Sequence, residues 1–568
     1  MDNKESRPCQ LCGIHNHFFA SQTYCVTCEV RIEKNAYYYC KSADKAEKEY
    51  CFCTNCYKKN SRSSYISCNG TSISKKLLHK KINDVVVEEP WVQCDKCKNW
   101  QHQVCALYTS KRDLEEDYLC PKCCLKEIEN GVHVPSQKSN AAIFGAKDIP
   151  RTMLSEHIEQ RLIKRLAQER EEKAKKEAKN LDEVLAAENL CVRVLSSVNK
   201  QLKVKKQFLD ILSSENYPSE FNYGSKVIFL FQKIEGVDVC LFVMEVQEFG
   251  SDCGYPNQRS VYISYLDSVK YLRPEREAAT GEPLRTFIYH EILIGYLDYC
   301  KKRGFVTCYI WSCPPKKGYD YILHCHPETQ KVPKSGQLQN WYHSMLKKAA
   351  KENITVGLTN VYDRFFHPTK KCDYKVTVAR LPYFDGDYWS SAAMDLFSEI
   401  KETEGKDIRK VEKLVTKATL KAMEHTNPSE STSKDALVMQ KLGKQILPWK
   451  KNFIVVQLQQ ACKQCHQLIM SGKRWFCSEC KEFQQCERCH SVDMHISVTK
   501  EKHALNHVLV DDIPFDTNDN DIMVENELLE TRDKFLIFCQ NNNFQFDTLR
   551  RAKYSSIMIL LHSKNLLC

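Results

Sequence analysis

The 568-residue sequence has no long apolar run. Its longest, such as "KVIFLF" and "SIMILL", fall far short of the roughly 20 residues of a membrane-spanning helix, which speaks against a membrane-embedded helical protein. The opening "MDNKESRPCQLC" lacks the apolar stretch of a secretory leader, so a reducing compartment with few disulfides is expected. A dominant charge is missing too. Against 83 Lys and Arg stand 72 Asp and Glu, and the net +11 is a mild bias towards polyanionic partners. The stretch from about 150 to 450 has only single cysteines, without C-x-x-C pairs.

What the chain has in excess is cysteine, 31 in all. C-x-x-C pairs stand at Cys9/Cys12, Cys25/Cys28, Cys53/Cys56, Cys94/Cys97 and Cys120/Cys123, then at Cys462/Cys465, Cys477/Cys480 and Cys486/Cys489. Each such turn delivers two thiolates at the angle that tetrahedral zinc requires. The chain is thereby divided into a finger module, a central domain and a second finger module.

"HIEQRLIKRLAQEREEKAKKEAKNLDEV" follows the first module. Its Ala, Glu, Lys and Leu favour helix, and the alternating charges read as a solvated connector. The central block changes character. "CVRVLSSVNKQLKVKKQF", "SKVIFLFQKIEGVDVCLFVMEVQEFG", "RSVYISYLDSVKYL", "FVTCYIWSCPP" and "YDYILHCHP" have strand chemistry, with a hairpin at "KIEGVD". "LRTFIYHEILIGYLDYCKKRG" and "LQNWYHSMLKKAAKEN" read as helices, the first ending at Gly304. Strands and helices sharing one core imply an α/β layer fold. Residues 401–436 are weakly patterned, 511–523 are acidic and read as disordered, and "ENELLETRDKFLIFCQ" begins a final amphipathic helix.

Cys94, Cys97, His102, Cys105, Cys120 and Cys123 have the spacing of the last six ligands of a PHD finger. Only Cys68 stands where the first pair belongs, so that pair must come from Cys9/Cys12, Cys25/Cys28 or Cys53/Cys56. Twelve ligands suffice for three ions in a composite module, a RING-like finger inserted into a PHD finger. The pairing is left open, and Cys40 and Cys51 are left out. In the second module the three Cys pairs with His503 and His507 resemble a ZZ finger holding two ions. His495 is an alternative for one histidine, and His466 and His490 read as bystanders. About five structural zinc ions are expected. Closed Cys/His sets are structural, so any chemistry belongs to the centre.

There, "RSVYISYLDSVKYLRPEREAATGEPLRTFIYHEILIGYLDYCKKRGFVTCYIWSCPP", "YILHCHPETQKVP", "LQNWYHSML" and "LPYFDGDYW" closely resemble the histone acetyltransferase domain of the CREB-binding-protein type, in its plant form. The resemblance implies a multidomain protein. An α/β acetyltransferase domain, a central mixed sheet flanked by helices, stands between small zinc-finger modules. It also implies acetyl transfer from acetyl-CoA to lysine, histone tails, chromatin and transcription factors as partners, a nuclear location, no membrane and no direct sequence-specific DNA binding. The oligomeric state is not legible.

For the cofactor phosphates, Arg285 and Thr286 begin a helix, whose N–H groups and dipole favour anions. The family further implies cofactor contacts at Leu266, Asp267, Ser268, Val332, Gln337 and Trp341, a lysine tunnel lined by Trp311, and Tyr342 as the general acid that protonates the departing thiolate. Trp341 and Tyr342 diverge by about 100° on a helix, so they face different things. Cys313 and Cys325 show no basic neighbour in the sequence to activate them, which favours direct transfer. Asp385 and Asp387 offer acidity to a basic substrate.

Several features depart from the family. Gln337 stands where a cation is usual, and the stretch between Phe366 and Leu381 is short, without a long lysine-rich loop. The chain starts directly at the fingers. "ETRDKFLIFCQNNNFQFDTLRRAKYSSIMILLH" resembles the opening of a TAZ finger that stops at Cys568. The expected organisation is a finger module over 1–130, a helical linker over 131–190, the acetyltransferase domain over 191–436, a ZZ finger over 455–512 and an incomplete TAZ-type helix over 524–568. The rivals are a catalytically weak chromatin adaptor and a ubiquitin ligase acting through the RING-like finger.

Overall fold

The structure is a computed structural model. It describes residues 8–20, 23–41, 50–59, 64–68, 71–84, 86–108, 118–131, 144–212, 217–366, 376–404, 430–464, 467–480, 483–490, 503–510 and 512–567. At its centre lies a seven-stranded mixed sheet. In chain order its strands are β1 (Leu190–Lys203), β2 (Glu220–Ile234), β3 (Val237–Phe249), β4 (Ser260–Ser268), β5 (Thr307–Trp311), β6 (Gly357–Asn360) and β7 (Phe453–Gln457). Their spatial order is β6-β7-β5-β4-β3-β2-β1. Only β4 and β5 run parallel. Glu235 and Gly236 both take positive φ, as the tight hairpin between β2 and β3 requires.

Both faces of the sheet are covered, so the middle strands read as unbroken apolar runs. One face carries α1 (Met153–Glu177), α2 (Leu284–Lys302) and α3 (Ser335–Lys351). The other carries α4 (Tyr388–Glu404) and α5 (Glu430–Ile446). Residues 405–429, most of the weakly patterned stretch, lie outside the described residues.

Five expectations change. The stretch read as a solvated connector is α1, which buries Leu154, Ile158 and Leu162 against the core. Arg161 and Arg165 of α1 reach the fully buried Glu291 of α2 at 2.7 and 3.5 Å. The many Glu and Lys of its outer face masked that i, i+4 stripe. "YDYILHCHP" is not a strand but an irregular loop. The sheet runs past 436, taking β7 from Phe453–Gln457.

The TAZ-like end is also part of the core. Helices α6 (Arg532–Asn541) and α7 (Leu549–Leu567) join the main cluster through Phe535, Ile557, Met558 and Leu560. Ser556 of α7 accepts the Cys240 N–H of β3 at 2.8 Å. The second finger module is therefore an insertion: the chain leaves the sheet after β7 and returns at Val524, which bridges to Ser197 of β1.

The acidic stretch before Val524 is ordered from residue 512. Asp521 accepts N–H groups of Met153 and Leu154 at the start of α1 (2.7 and 2.9 Å), and Asp519 pairs with the buried Lys226. Its charge, read as a mark of disorder, instead meets a helix N-terminus and a buried cation. Among the described residues no helix is long and apolar enough to cross a membrane.

Candidate functional site

Pairing between β4 and β5 runs only from Ser260/Thr307 to Ile263/Ile310. β4 continues to Ser268 against β3 alone. The strand edge from Ser264 to Ser268 is thus open on the β5 side, at the carboxyl ends of the two parallel strands, where open α/β sheets bind ligands. Ile322 and Leu323 bond to Asp267 and Gln330 to Ser268 O across this opening; Tyr289 of α2 bonds to Val269 O just beyond β4, and Ser335 and Gln339 of α3 bond to Asn452, which also holds Ser312 O just after β5.

Arg285 is exposed at the second position of α2, with Thr286 half-buried beside it. The guanidinium enters no ion pair among the described residues, leaving it available to an anion at the helix N-terminus. Trp341 of α3 rests on His290 of α2, ring centroids 4.6 Å apart, and stands at 84° to Tyr342. Burial holds His290 neutral, its pKa lowered to about 3, and Lys348 adds to that. The Tyr342 ring is buried, and burial lifts its pKa well above the tyrosine range. Its hydroxyl is not among the fully enclosed, unpartnered polar atoms. Trp311, at the end of β5, is half-buried against Tyr388 (5.6 Å) and Phe453 (6.1 Å). Val332 is exposed.

Two expected contacts are used differently. Asp267 is buried, and its carboxylate accepts from Ile322 N and Leu323 N (both 2.9 Å), Ser268 N (2.8 Å) and His326 Nε2 (2.6 Å). Its side chain holds the loop in place, leaving Leu266 and Ser268 at the strand edge. Gln337 accepts the Lys334 N–H at 3.0 Å and so caps α3. Asp387 is not surface acidity either: it is buried, takes N–H bonds from Phe384 and Ser390, and is pushed up to about 7 by burial. Asp385 is exposed as expected.

The loop has a framework invisible at the level of motif. Asp320 accepts from His324 and His326 (both 3.2 Å), so His326 lies between two carboxylates. Arg532 of α6 donates to Tyr321 O (2.6 Å), Tyr319 Oη (2.8 Å) and Asp320 O (3.1 Å), with its guanidinium over Tyr265 of β4. "HCHP" hints at the histidines, but nothing local announces an arginine some 200 residues away. Cys325 does have basic neighbours, Arg31 Nη1 at 2.8 Å and His324 Nε2 at 3.5 Å. Burial still pushes its thiol up, as it does for Cys313, so neither is an activated nucleophile.

The candidate ligands of the first module gather in groups of four that could each hold a metal ion. Cys9, Cys12, His102 and Cys105 meet, as do Cys94, Cys97, Cys120 and Cys123, interleaved like the two halves of a PHD finger. Cys25, Cys28, Cys53 and Cys56 form the inserted RING-like group. Tetrahedral zinc with Zn–S near 2.3 Å sets ligand atoms about 3.8 Å apart. Cys97–Cys120 (3.7 Å), Cys28–Cys53 (3.8 Å) and Cys12–His102 Nδ1 (3.5 Å) fit. His102 Nε2 faces the His15 carbonyl (3.2 Å), which leaves Nδ1 for metal. Cys40 and Cys51 pair across two strands inside a small apolar cluster.

In the second module Cys462, Cys486 and Cys489 gather, and so do Cys477, Cys480 and His503. Cys465, His466 and His495 lie outside the described residues. The expected ligand His507 is not in the His503 group. It lies on an exposed strand position against Trp475, ring centroids 4.8 Å apart.

The first finger module docks on this site. The fully buried Glu89 binds Arg550 (2.6 and 2.8 Å) and Arg551 (2.8 Å) of α7, and Tyr24 Oη meets His324 at 3.1 Å.

Comparison with known proteins agrees with this geometry. Residues 178–464 match the family model of the histone acetyltransferase domain KAT3, and residues 83–123 match the PHD-finger model. "Probable histone acetyltransferase HAC-like 1" of Oryza sativa subsp. japonica is 51% identical over 579 residues, covering 99% of this chain and 34% of that protein. "Histone acetyltransferase HAC1" of Arabidopsis thaliana is 52% identical over 571 residues, with 98% and 33% covered. "Protein cbp-1" of Caenorhabditis elegans is 36% identical over 323 residues, with 57% and 14% covered. The chain spans about a third of the length of these plant relatives.

Proposed function

Because the chain belongs to the KAT3 family of histone acetyltransferases, we propose that it moves an acetyl group from acetyl-CoA directly to lysine side chains of histone tails. The observation that carries this reading is the open β4 edge, bordered by a helix N-terminus with an exposed arginine and by a helix bearing an adjacent Trp–Tyr pair.

Arg285, Thr286 and the N-terminus of α2 take the cofactor phosphates, an exposed guanidinium favouring bidentate bonds. Leu266 and Ser268 line the acyl arm, with Trp341 and Val332 against the cofactor and Trp311 along the lysine stem. The neutral amine attacks the thioester carbonyl, the C–S bond breaks as the Tyr342 hydroxyl gives its proton to the departing sulfur, and the proton that nitrogen sheds on becoming an amide restores the phenol. A phenol whose pKa burial has raised is protonated at neutral pH, so it serves as an acid rather than a base. Asp385 adds acidity for a basic substrate.

The fingers hold about five zinc ions and recruit the chain to chromatin through transcription factors in the nucleus. Incubation with labelled acetyl-CoA and core histones tests the reading. Label in the histone bands is expected; a catalytically silent chain would instead be the chromatin adaptor.

A further inference from the structure

The RING-like insertion presents a surface that neither acetyl transfer nor zinc binding uses. From Tyr50 to Ile82 the sequence has seven Lys and Arg and not one Asp or Glu. Two acidic side chains of the finger module are taken up where it meets the rest of the chain: Glu33 pairs with Lys317 at 2.8 Å, and Glu89 with α7. Lys58, Lys59, Lys76 and Lys80 are exposed, and they enter no ion pair among the described residues.

Aromatic rings are interleaved with these cations. Tyr37 and Tyr39 share one face of the strand Tyr37–Lys41, and the edge strand His79–Ile82 places Lys80 opposite Tyr39. Lys80 Nζ lies 4.0 Å over the Tyr37 ring. Tyr39 stacks on Tyr57 at 3.6 Å and 4°, and Lys75 Nζ stands 4.9 Å over Tyr57. The row reads cation, ring, ring, ring, cation. Tyr37 is 50% exposed, and Tyr65, on the neighbouring hairpin, 55%.

We propose that this face of the RING-like insertion binds single-stranded nucleic acid, its lysines engaging phosphates and its tyrosine rings stacking on bases. Charge alone would suit any polyanion. An exposed ring, Tyr37, in a row of rings set between cations, with Tyr65 exposed on the neighbouring hairpin, adds what a strand with unpaired bases uses and an acidic peptide does not. Recognition of this kind is sequence-tolerant and steeply salt-dependent.

The test uses the full chain as purified with its zinc, and fluorescein-labelled 20-nucleotide single strands of mixed sequence, one DNA and one RNA, read by anisotropy across a salt series. Binding that weakens steeply with salt is expected, and the two arms tell which strand is preferred. Lys58→Glu, Lys76→Glu and Lys80→Glu together should lower affinity at least tenfold and flatten the salt slope, with zinc content unchanged. Tyr37→Ala should lower single-strand affinity several-fold while leaving the slope intact. Unchanged binding by the triple variant overturns the proposal. So does equal competition by polyglutamate combined with no effect of Tyr37→Ala, which would make the face a reader of acidic proteins. None of these readouts depends on acetyl transfer.

Discussion

At the scale of the residue, His326 shows how one side chain can fix the loop over the open β4 edge. Both its ring nitrogens face carboxylates, Asp267 at 2.6 Å and Asp320 at 3.2 Å, which is satisfied only by the doubly protonated ring. Burial by itself opposes that charge, but the two carboxylates raise its pKa to about 10. A histidine raised in the folded state stabilises fully below its unfolded value near 6.5 and loses that contribution as pH rises through about 10. Amide exchange at Ile322 and Leu323, both bonded to Asp267, should therefore quicken between pH 7 and 10 beyond the intrinsic base dependence. In His326→Gln the excess should already be present at pH 7 and should not grow. Equal protection in both proteins at pH 7 would remove this role. The motif pointed to Asp267, but its use could not be read from sequence: a strand-end aspartate is the same letter whether it faces a cofactor or four donors of its own chain.

At the scale of the element, patterning identified β1 to β5 and the two central helices because their periodicity is set by burial within each segment, while the short β6 and β7 carried too little pattern to be named. It failed where the partner is remote. The stripe Leu154, Ile158, Leu162 is diluted by charge, and α7 was grouped with a finger because its neighbours in space, β3 and Glu89, lie hundreds of residues away. If α7 is core, Met558→Ala should cost about 2–5 kcal/mol in denaturant unfolding, and a chain ending at residue 523 should not fold. A soluble, cooperatively folding truncation would restore the view of a dispensable terminal helix. At the start of α6, Arg532→Ala should free the loop around Tyr319–Tyr321 and raise the KM for acetyl-CoA more than it lowers kcat, with little change in overall stability. An unchanged KM would leave the arginine a surface contact.

At the scale of the whole molecule, the fingers, the sheet and the terminal helices close on one loop from three sides. The cysteine groups are part of that architecture, and zinc held by them would supply small modules of little core with folding free energy, on the order of 10 kcal/mol in isolated fingers. Chelation should therefore unfold the first finger module and expose the Glu89 contacts on α7, seen as faster proteolysis between residues 84 and 131. The central sheet should persist, since Phe19 and Val104 are the finger-module side chains buried in its core cluster and the rest comes from the strands and helices around it. Motif spacing made the ligands legible but not their partition. Interleaving of Cys9/Cys12 with His102/Cys105 is a fact of topology, and spacing cannot show that the expected ligand His507 lies against Trp475.

The proposed cleft holds the cofactor phosphates at the α2 N-terminus while Tyr342 protonates the departing sulfur. Steady-state transfer from acetyl-CoA to a histone-tail peptide, comparing Tyr342→Phe and Arg285→Ala with the parent chain, tests it most directly. Tyr342→Phe should lower kcat by about 100- to 10,000-fold with the KM for acetyl-CoA near parental, while Arg285→Ala should chiefly raise that KM. Parental turnover by Tyr342→Phe, or an unaltered KM for Arg285→Ala, would contradict it.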